Sequence, residues 1–404
     1  EVLWPDGNYQ KIKNVELNKK IEVFYDNSLS IDKNSLNFPL VKNKAKTLLK
    51  EVSNEKKLNY THKQIDKFDF NIQRLIPRKI SENSPKIIKG DLNNDKIEDI
   101  LIIDELEAPK FYLLSKNGKF KEQKINIEGP TKNFQISDIA IIDIDYDKDL
   151  DLIVLSNVSD FKGNKFNGEN KFYLNDGKGN FKLNNDFSNK EIIEQGKVLR
   201  FNDFDKDGDM DLFILGKTHL SKYPISSKNQ LLENKNGVFI DVSELYLSEI
   251  ENIGIPKDAA WADFNNDGFD DLILINEFSP IQILINNNKF FKKLNNSGLE
   301  KYSGWWESIK IIDNDKDGDL DFFVGNLGSN NQFNISDKTP LSIFVKDFDN
   351  NGSIDPVIFS YSKNTEGELK QFPVTFWNNM KSQSPLFRQK FNYKKQYARA
   401  DIDK

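Results

Sequence analysis

The run Asp203-Phe-Asp205-Lys-Asp207-Gly208-Asp209-Met-Asp211, continued by Leu212-Phe-Ile-Leu215, decides the fold. Acidic side chains alternate along it, glycine stands at its sixth position, and an apolar strand-like run follows at once. The pattern recurs five times. Its other copies are Asp91, Asn93, Asp95, Ile97 and Asp99; Asp143, Asp145, Asp147, Asp149 and Asp151; Asp263, Asn265, Asp267, Phe269 and Asp271; Asp313, Asp315, Asp317, Asp319 and Asp321; and Asp347, Asp349, Asn351, Ser353 and Asp355. Six copies at fixed internal spacing are a structural repeat and not a chance clustering of acidic residues.

Successive first aspartates are 52, 60, 60, 50 and 34 residues apart. All but the last of these spacings suit a four-stranded propeller blade with some loop insertion. Apolar segments flank each loop, such as Ile139-Ala-Ile-Ile142 before the second and Leu272-Ile-Leu-Ile275 after the fourth. In the first four units an outer hairpin follows, turning at Asn117-Gly118, Asp176-Gly177, Asn236-Gly237 and Asn286-Asn-Asn288. The fold class is therefore all-β, a β-propeller whose unit is strand, loop, strand, strand, turn, strand.

A hard cation of calcium's size needs six to eight oxygens, so a short loop must curl until alternate side chains face one centre. Positions 1, 3, 5 and 9 supply carboxylates or amides here, and position 7 supplies a backbone carbonyl. Gly208, Gly268, Gly318 and Gly352 at position 6 permit a left-handed turn. Lys96 and Lys148 occupy that position in the first two loops, and Asn351 replaces an aspartate in the sixth. Up to six Ca2+ sites are expected on this reading, with the third and fifth loops strongest and the first, second and sixth weakest. Plain β-turns also favour Asp, Asn and Gly, but they do not require acidic groups at 1, 3, 5 and 9 together. An EF-hand is excluded, because its twelfth position carries glutamate and here holds Ile102, Val154, Ile214, Leu274, Val324 and Ile358.

Composition narrows the remaining function classes. Charged residues make up 30% of the 404-residue chain, yet the net charge is only -6, so no single-sign field points to nucleic acid. Filling six loops with divalent cations would reverse that sign. No apolar run reaches the length of a membrane-crossing helix, and the absence of cysteine excludes disulfides. The chain opens at Glu1 with no signal peptide, which reads as a processed or partial chain.

The repeat resembles the FG-GAP or VCBS repeats of integrin α-subunit propellers and bacterial surface proteins, over roughly residues 85–360. Several stretches look like the bacterial cartilage-acidic-protein-like branch common in Bacteroidota: 62–70 with Leu75-Ile-Pro77, Gly304-Trp-Trp306, and Gly325-Asn-Leu-Gly-Ser-Asn330. The opening Leu3-Trp-Pro-Asp-Gly7 through Val23-Phe-Tyr25 is similar to the end of the small β module called ASPIC/UnbV. The resemblance implies a module tail over 1–27, a connecting segment over 28–58, and a propeller over 59–404, of about seven blades when complete, with its C-terminal closure open to question. The branch often has Trp after the glutamate of its fourth unit; here Phe278 follows Glu277.

Catalysis requires converging acid, base or nucleophile groups. Only His62 and His219 are present, and they read as a structural hydrogen-bonding residue and a solvated loop residue. Trp261, Trp305 and Trp306 read as packing between blades before a sugar platform. A non-enzymatic binding or scaffolding protein is the expectation, with no catalytic residues. The family resemblance implies a lipoprotein-like position at the outer membrane face, with a protein partner there such as a TonB-dependent importer. A calcium-dependent carbohydrate-active enzyme or glycan binder is the alternative.

Overall fold

The computed structural model describes residues 2–4, 9–10, 12–14, 20–25, 49–63, 68–81, 84–104, 108–125, 127, 135–157, 160–161, 164–165, 170–184, 196–219, 222–235, 237–248, 250, 254–328, 331, 333 and 335–402. The chain divides into two compact units, 1–52 and 53–404. In the first, strands Val2–Leu3 and Tyr9–Gln10 pair antiparallel, and the Trp4 indole donates to Gln10 and meets Tyr25 edge-on. Most of the expected connecting segment 28–58 lies outside the described residues.

The second unit is nearly all β. Four antiparallel four-stranded meanders follow one another along the chain, the first three as separate sheets and the fourth as part of a six-stranded sheet that runs on into the fifth unit. Blade 1 is Lys86–Gly90, Asp99–Ile103, Lys110–Leu114 and Phe120–Gln123; blade 2 is Gln135–Ile142, Asp151–Asn157, Lys171–Asn175 and Phe181–Leu183. Blade 3 is Gly196–Asn202, Asp211–Gly216, Gln230–Lys235 and Val238–Asp241; blade 4 is Ile255–Ala262, Asp271–Ser279, Gln282–Asn286 and Phe291–Lys293. Neighbouring strands are consecutive in sequence, the simple meander of a propeller blade. The fifth unit differs. It has two strands among the described residues, Gly304–Ile312 and Asp321–Asn326, joined to blade 4 through Glu277 and Trp305. Ser342–Lys346, Asp355–Lys363 and Leu369–Pro373 form the sixth, three-stranded unit.

The second strand of each complete blade is buried on both faces, which explains its unbroken apolar run. Leu212, Ile214 and Leu215 are wholly buried, as are Leu272, Leu274 and Ile275. Each such side chain contributes roughly 1.5–3 kcal/mol. Core clusters bridge blades 1 and 2, 2 and 3, 3 and 4, and 4 and 5, so each blade is completed by its neighbour. Between blades 2 and 3 the fit leaves no room: a methyl on Gly196 would lie 2.6 Å from Ile214 and 2.9 Å from Leu155. Trp261 packs on Phe213 and Phe291, and Trp305 on Phe278, so the tryptophans stand among core aromatics.

After the sixth unit come three short helices, Trp377–Gln383, Pro385–Lys390 and Lys394–Tyr397. Ser384 caps the second with Pro385 at its first position, an arrangement that proline's fixed φ favours. Met380 and Tyr397 bury against Leu75 and Val357.

Candidate metal loops and the charged cluster beside them

Each repeat loop curls in the same way. The position-6 N–H donates to Oδ2 of the first aspartate in all six, from Lys96 at 2.7 Å and Lys148 at 3.0 Å to Gly208 at 3.2 Å, Gly268 at 2.8 Å, Gly318 at 3.3 Å and Gly352 at 2.8 Å. The position-7 N–H donates to the side-chain oxygen of position 5 in all six, at 2.7–3.1 Å. These bonds hold the side-chain oxygens of positions 1 and 5 against the turn. The backbone is left-handed at position 6, including Lys96 (φ 68°) and Lys148 (φ 77°), where a side chain is strained. It is left-handed at position 4 as well, at Asn94, Tyr146, Lys206, Asn266, Lys316 and Asn350, which the glycine pattern did not signal.

The first aspartate's other oxygen separates the loops into two kinds. In the first, fourth and sixth loops it accepts the position-5 N–H, from Asp95, Asp267 and Asn351. In the second, third and fifth, Oδ1 of Asp143, Asp203 and Asp313 is buried and has no donor. A buried, unpaired carboxylate oxygen beside other carboxylates is costly without a cation. Carboxylate oxygens lie within 4.8 Å of one another in Asp143/Asp145/Asp151, Asp203/Asp205/Asp211, Asp313/Asp315/Asp317 and Asp347/Asp349/Asp355. Both oxygens of Asp349 in the sixth loop also lack donors. The donor set therefore fits a hard divalent cation. Glu233, from the third strand of blade 3, joins Asp205 and Asp207 within the same distance; its place in the next hairpin hid it from the loop pattern.

Position 9 has a second task. Asp99, Asp151, Asp211, Asp271 and Asp355 are fully buried. Oδ2 of Asp151, Asp211, Asp271, Asp321 and Asp355 accepts the position-2 N–H at 2.8–3.1 Å. Oδ1 of Asp99, Asp151, Asp211 and Asp271 accepts a main-chain N–H from the third strand: Leu114 at 2.9 Å, and Asn175, Asn234 and Asn286 at 2.8 Å respectively. The residue that was to grip a cation through both oxygens thus also clamps the loop to its own hairpin. Burial pushes these carboxyls up, to about 6 for Asp99, Asp151 and Asp271 and about 7 for Asp211, against the opposing pull of the N–H bonds.

Adjacent loops are linked. Asn94 donates to Asp149, and the Tyr146 hydroxyl accepts from Asn234 at 3.1 Å. Asn175 and Asn286 reach back to the carbonyls of Leu92 and Phe204 in preceding loops, at 3.0 and 2.8 Å. The recurrent Asn closing the third strand was the sequence signal for this.

A charged cluster lies away from the loops and was missed. Inner strands of blades 2 to 5 each bulge six residues before the first aspartate, at Ser137, Lys197, Lys257 and Glu307. The buried Lys257 ammonium lies 2.6 Å from Glu277 and 2.8 Å from Glu307. Arg78 also pairs with Glu277, and the Tyr223 hydroxyl donates to it at 3.0 Å. Burial raises the Glu277 carboxyl, but Arg78 and Lys257 outweigh it and hold the group below its ordinary value. Gln73 bonds both backbone groups of Tyr223 and the Ile354 carbonyl, so segment 69–81 ties blades 3, 4 and 6 together. Every carboxylate in the cluster is paired, which marks it as a tether. His62 meets Asp104 at 2.9 Å, and His219 is half-buried with its pKa lowered by burial.

Three stretches match the FG-GAP-like repeat, residues 91–154, 203–274 and 263–324, each running from one loop to the strand after the next. No curated protein matches the chain. The crystal structure of the V. cholerae biofilm matrix protein Bap1 is similar at 12% identity and a TM-score of 0.30, over 72% of this chain and 45% of that one. The chain thus spans under half of that protein, and a likeness of this size transfers nothing. The loops and meander sheets of residues 91–154 and 203–324 therefore carry FG-GAP-like repeats.

Proposed function

We propose that this protein is a calcium-stabilised, non-enzymatic β-propeller that acts as a binding or scaffolding surface outside the cytoplasm. The observation that carries the reading is the orphaned Oδ1 of Asp143, Asp203 and Asp313, each buried inside a turn of converging carboxylates. FG-GAP-like repeats often bind calcium, which favours that ion among hard cations. In this reading side chains at positions 1, 3, 5 and 9 and the carbonyl at position 7 hold the ion, and the ion supplies charge neutralisation that lets the curl persist. The paired carboxylates of the Glu277 cluster hold the fold together.

The partner is proposed to be a protein assembly at the bacterial outer membrane, with this chain as an accessory subunit; no helix among the described residues is long and apolar enough to cross a membrane. The glycan-binding alternative has one place to be tested. An open groove lined by Phe333, Ser360, Lys363, Glu366, Phe376 and Asp401 presents Phe376 to solvent. Isothermal titration of chelated protein with Ca2+ and with Mg2+ tests the metal reading, and saturable calcium binding at millimolar or tighter affinity is expected. Native purification from envelopes tests the partner. Recovery only as a free cytoplasmic chain would falsify the assembly role.

A further inference from the structure

The fifth unit has the loop and the first two strands of a blade but no outer hairpin among the described residues. In the complete blades the second strand is covered by a third in one fixed register. The residue two places after the position-9 aspartate faces the third strand in every case: Leu101 opposite Phe111, Ile153 opposite Phe172, Phe213 opposite Leu231, and Ile273 opposite Ile283. Those four second-strand residues are at most 1% exposed. The equivalent residue of the fifth unit, Phe323, is 53% exposed, and Ile312, Leu320 and Leu327 are exposed near it. The clamp is half made among the described residues: Asp321 accepts the Asn314 N–H at 3.1 Å, and no third-strand N–H there reaches its other oxygen.

We infer that this open edge pairs with the same edge of a second copy of the chain, two-fold and antiparallel, with Phe323 opposite Phe323. Three observations select this occupant. First, self-pairing reproduces the register of the complete blades: Phe323 takes the central place, and Phe322 faces Val324 of the second copy. Main-chain groups that point outward then meet groups that point outward, as an isologous contact requires. Second, the donor to the position-9 aspartate always lies two residues beyond the partner of the strand's first apolar residue. Counted in the second copy, that donor is Asn326, matching Asn175, Asn234 and Asn286 in blades 2 to 4. Third, the edge Asp321–Asn326 has no proline or lysine, the residues that usually guard a free strand against pairing with its own kind.

The test uses the whole chain. Light scattering across micromolar to hundreds of micromolar concentrations should show a monomer–dimer equilibrium, and F323K should leave only monomer with an unchanged thermal melt. Because the chain lacks cysteine, F323C should form a dimer disulfide on mild oxidation. N326C should not, since its two copies lie about 20 Å apart at ~3.3 Å per residue. A monomer at every concentration, a dimer indifferent to F323K, or equal cross-linking of the two variants overturns the inference. So does a monomer that instead binds a synthetic peptide of residues 280–294, the outer hairpin of blade 4, in a manner lost with F323K; the edge would then belong to a strand of another protein.

Discussion

The loops at 203–211 and 313–321 are nearly the same sequence, with five aspartates and a glycine each, yet they sit in opposite settings. Asp211 is fully buried and accepts two main-chain N–H groups, one from its own loop and one from Asn234. Asp321 is half-buried and, among the described residues, accepts one, from Asn314. Following residues diverge in the same way, since Phe213 is 1% and Phe323 53% exposed. The loop therefore specifies a turn and an oxygen cage, whereas the outer hairpin and the neighbouring blade do the burying. A repeat can keep the first without the second.

Removing the cation should have the largest effect and should expose the difference. With calcium at 100 times its dissociation constant, each filled site stabilises by about 2.7 kcal/mol. Thermal melts with and without chelator should be widely separated, and superimposed curves would exclude metal-dependent stability. Hydrogen exchange under chelation should reach amides of 314–321 before those of 204–211, because only the latter are held by a hairpin. Next in size is a matched pair of substitutions. Asp211→Ala strands two N–H groups in a dry interior and should cost roughly 3 kcal/mol in chemical denaturation, while Asp321→Ala should cost about 1 kcal/mol or less. Equal costs would mean that the clamp is not what distinguishes the blades.

Acidity sharpens the contrast in the metal-free protein. Asp99, Asp151, Asp211 and Asp271 have folded pKa values raised to about 6–7 from an ordinary 3.8. Between those limits the folded state holds more protons than the unfolded chain, so stability should fall as pH rises from about 4 to 7. Denaturation in chelating buffer at pH 5 and 7.5 should show greater stability at pH 5, and added calcium should shrink or reverse the difference. The smallest effect concerns the loops with lysine in the left-handed turn. Lys148→Gly should relieve about 1 kcal/mol of backbone strain and tighten metal binding at the second loop, measurable by terbium luminescence.

Much of this was legible from the chain. Alternating Asp at 1, 3 and 5, glycine at 6 and an apolar run after Asp at 9 gave the six loops and the strands around them, because turn chemistry and strand burial are local. The shortened interval before Asp347 announced that the fifth unit was short. Local pattern could not show that Lys96 and Lys148 would enter the left-handed region anyway, or that position 4 would join them. That follows from the bond between position 6 and Oδ2 of position 1, which forces the curl whatever the side chain.

The sequence by itself determined the repeat, the all-β class and the residue types of each loop, since these depend on spacings within about a dozen residues. Only the tertiary structure decided which oxygens are orphaned, that position 9 is shared between loop and hairpin, and that Arg78 meets Glu277 across 199 residues of chain. Such contacts form when separate blades are brought together. Their energies come from burial and pairing at distances no local spacing records.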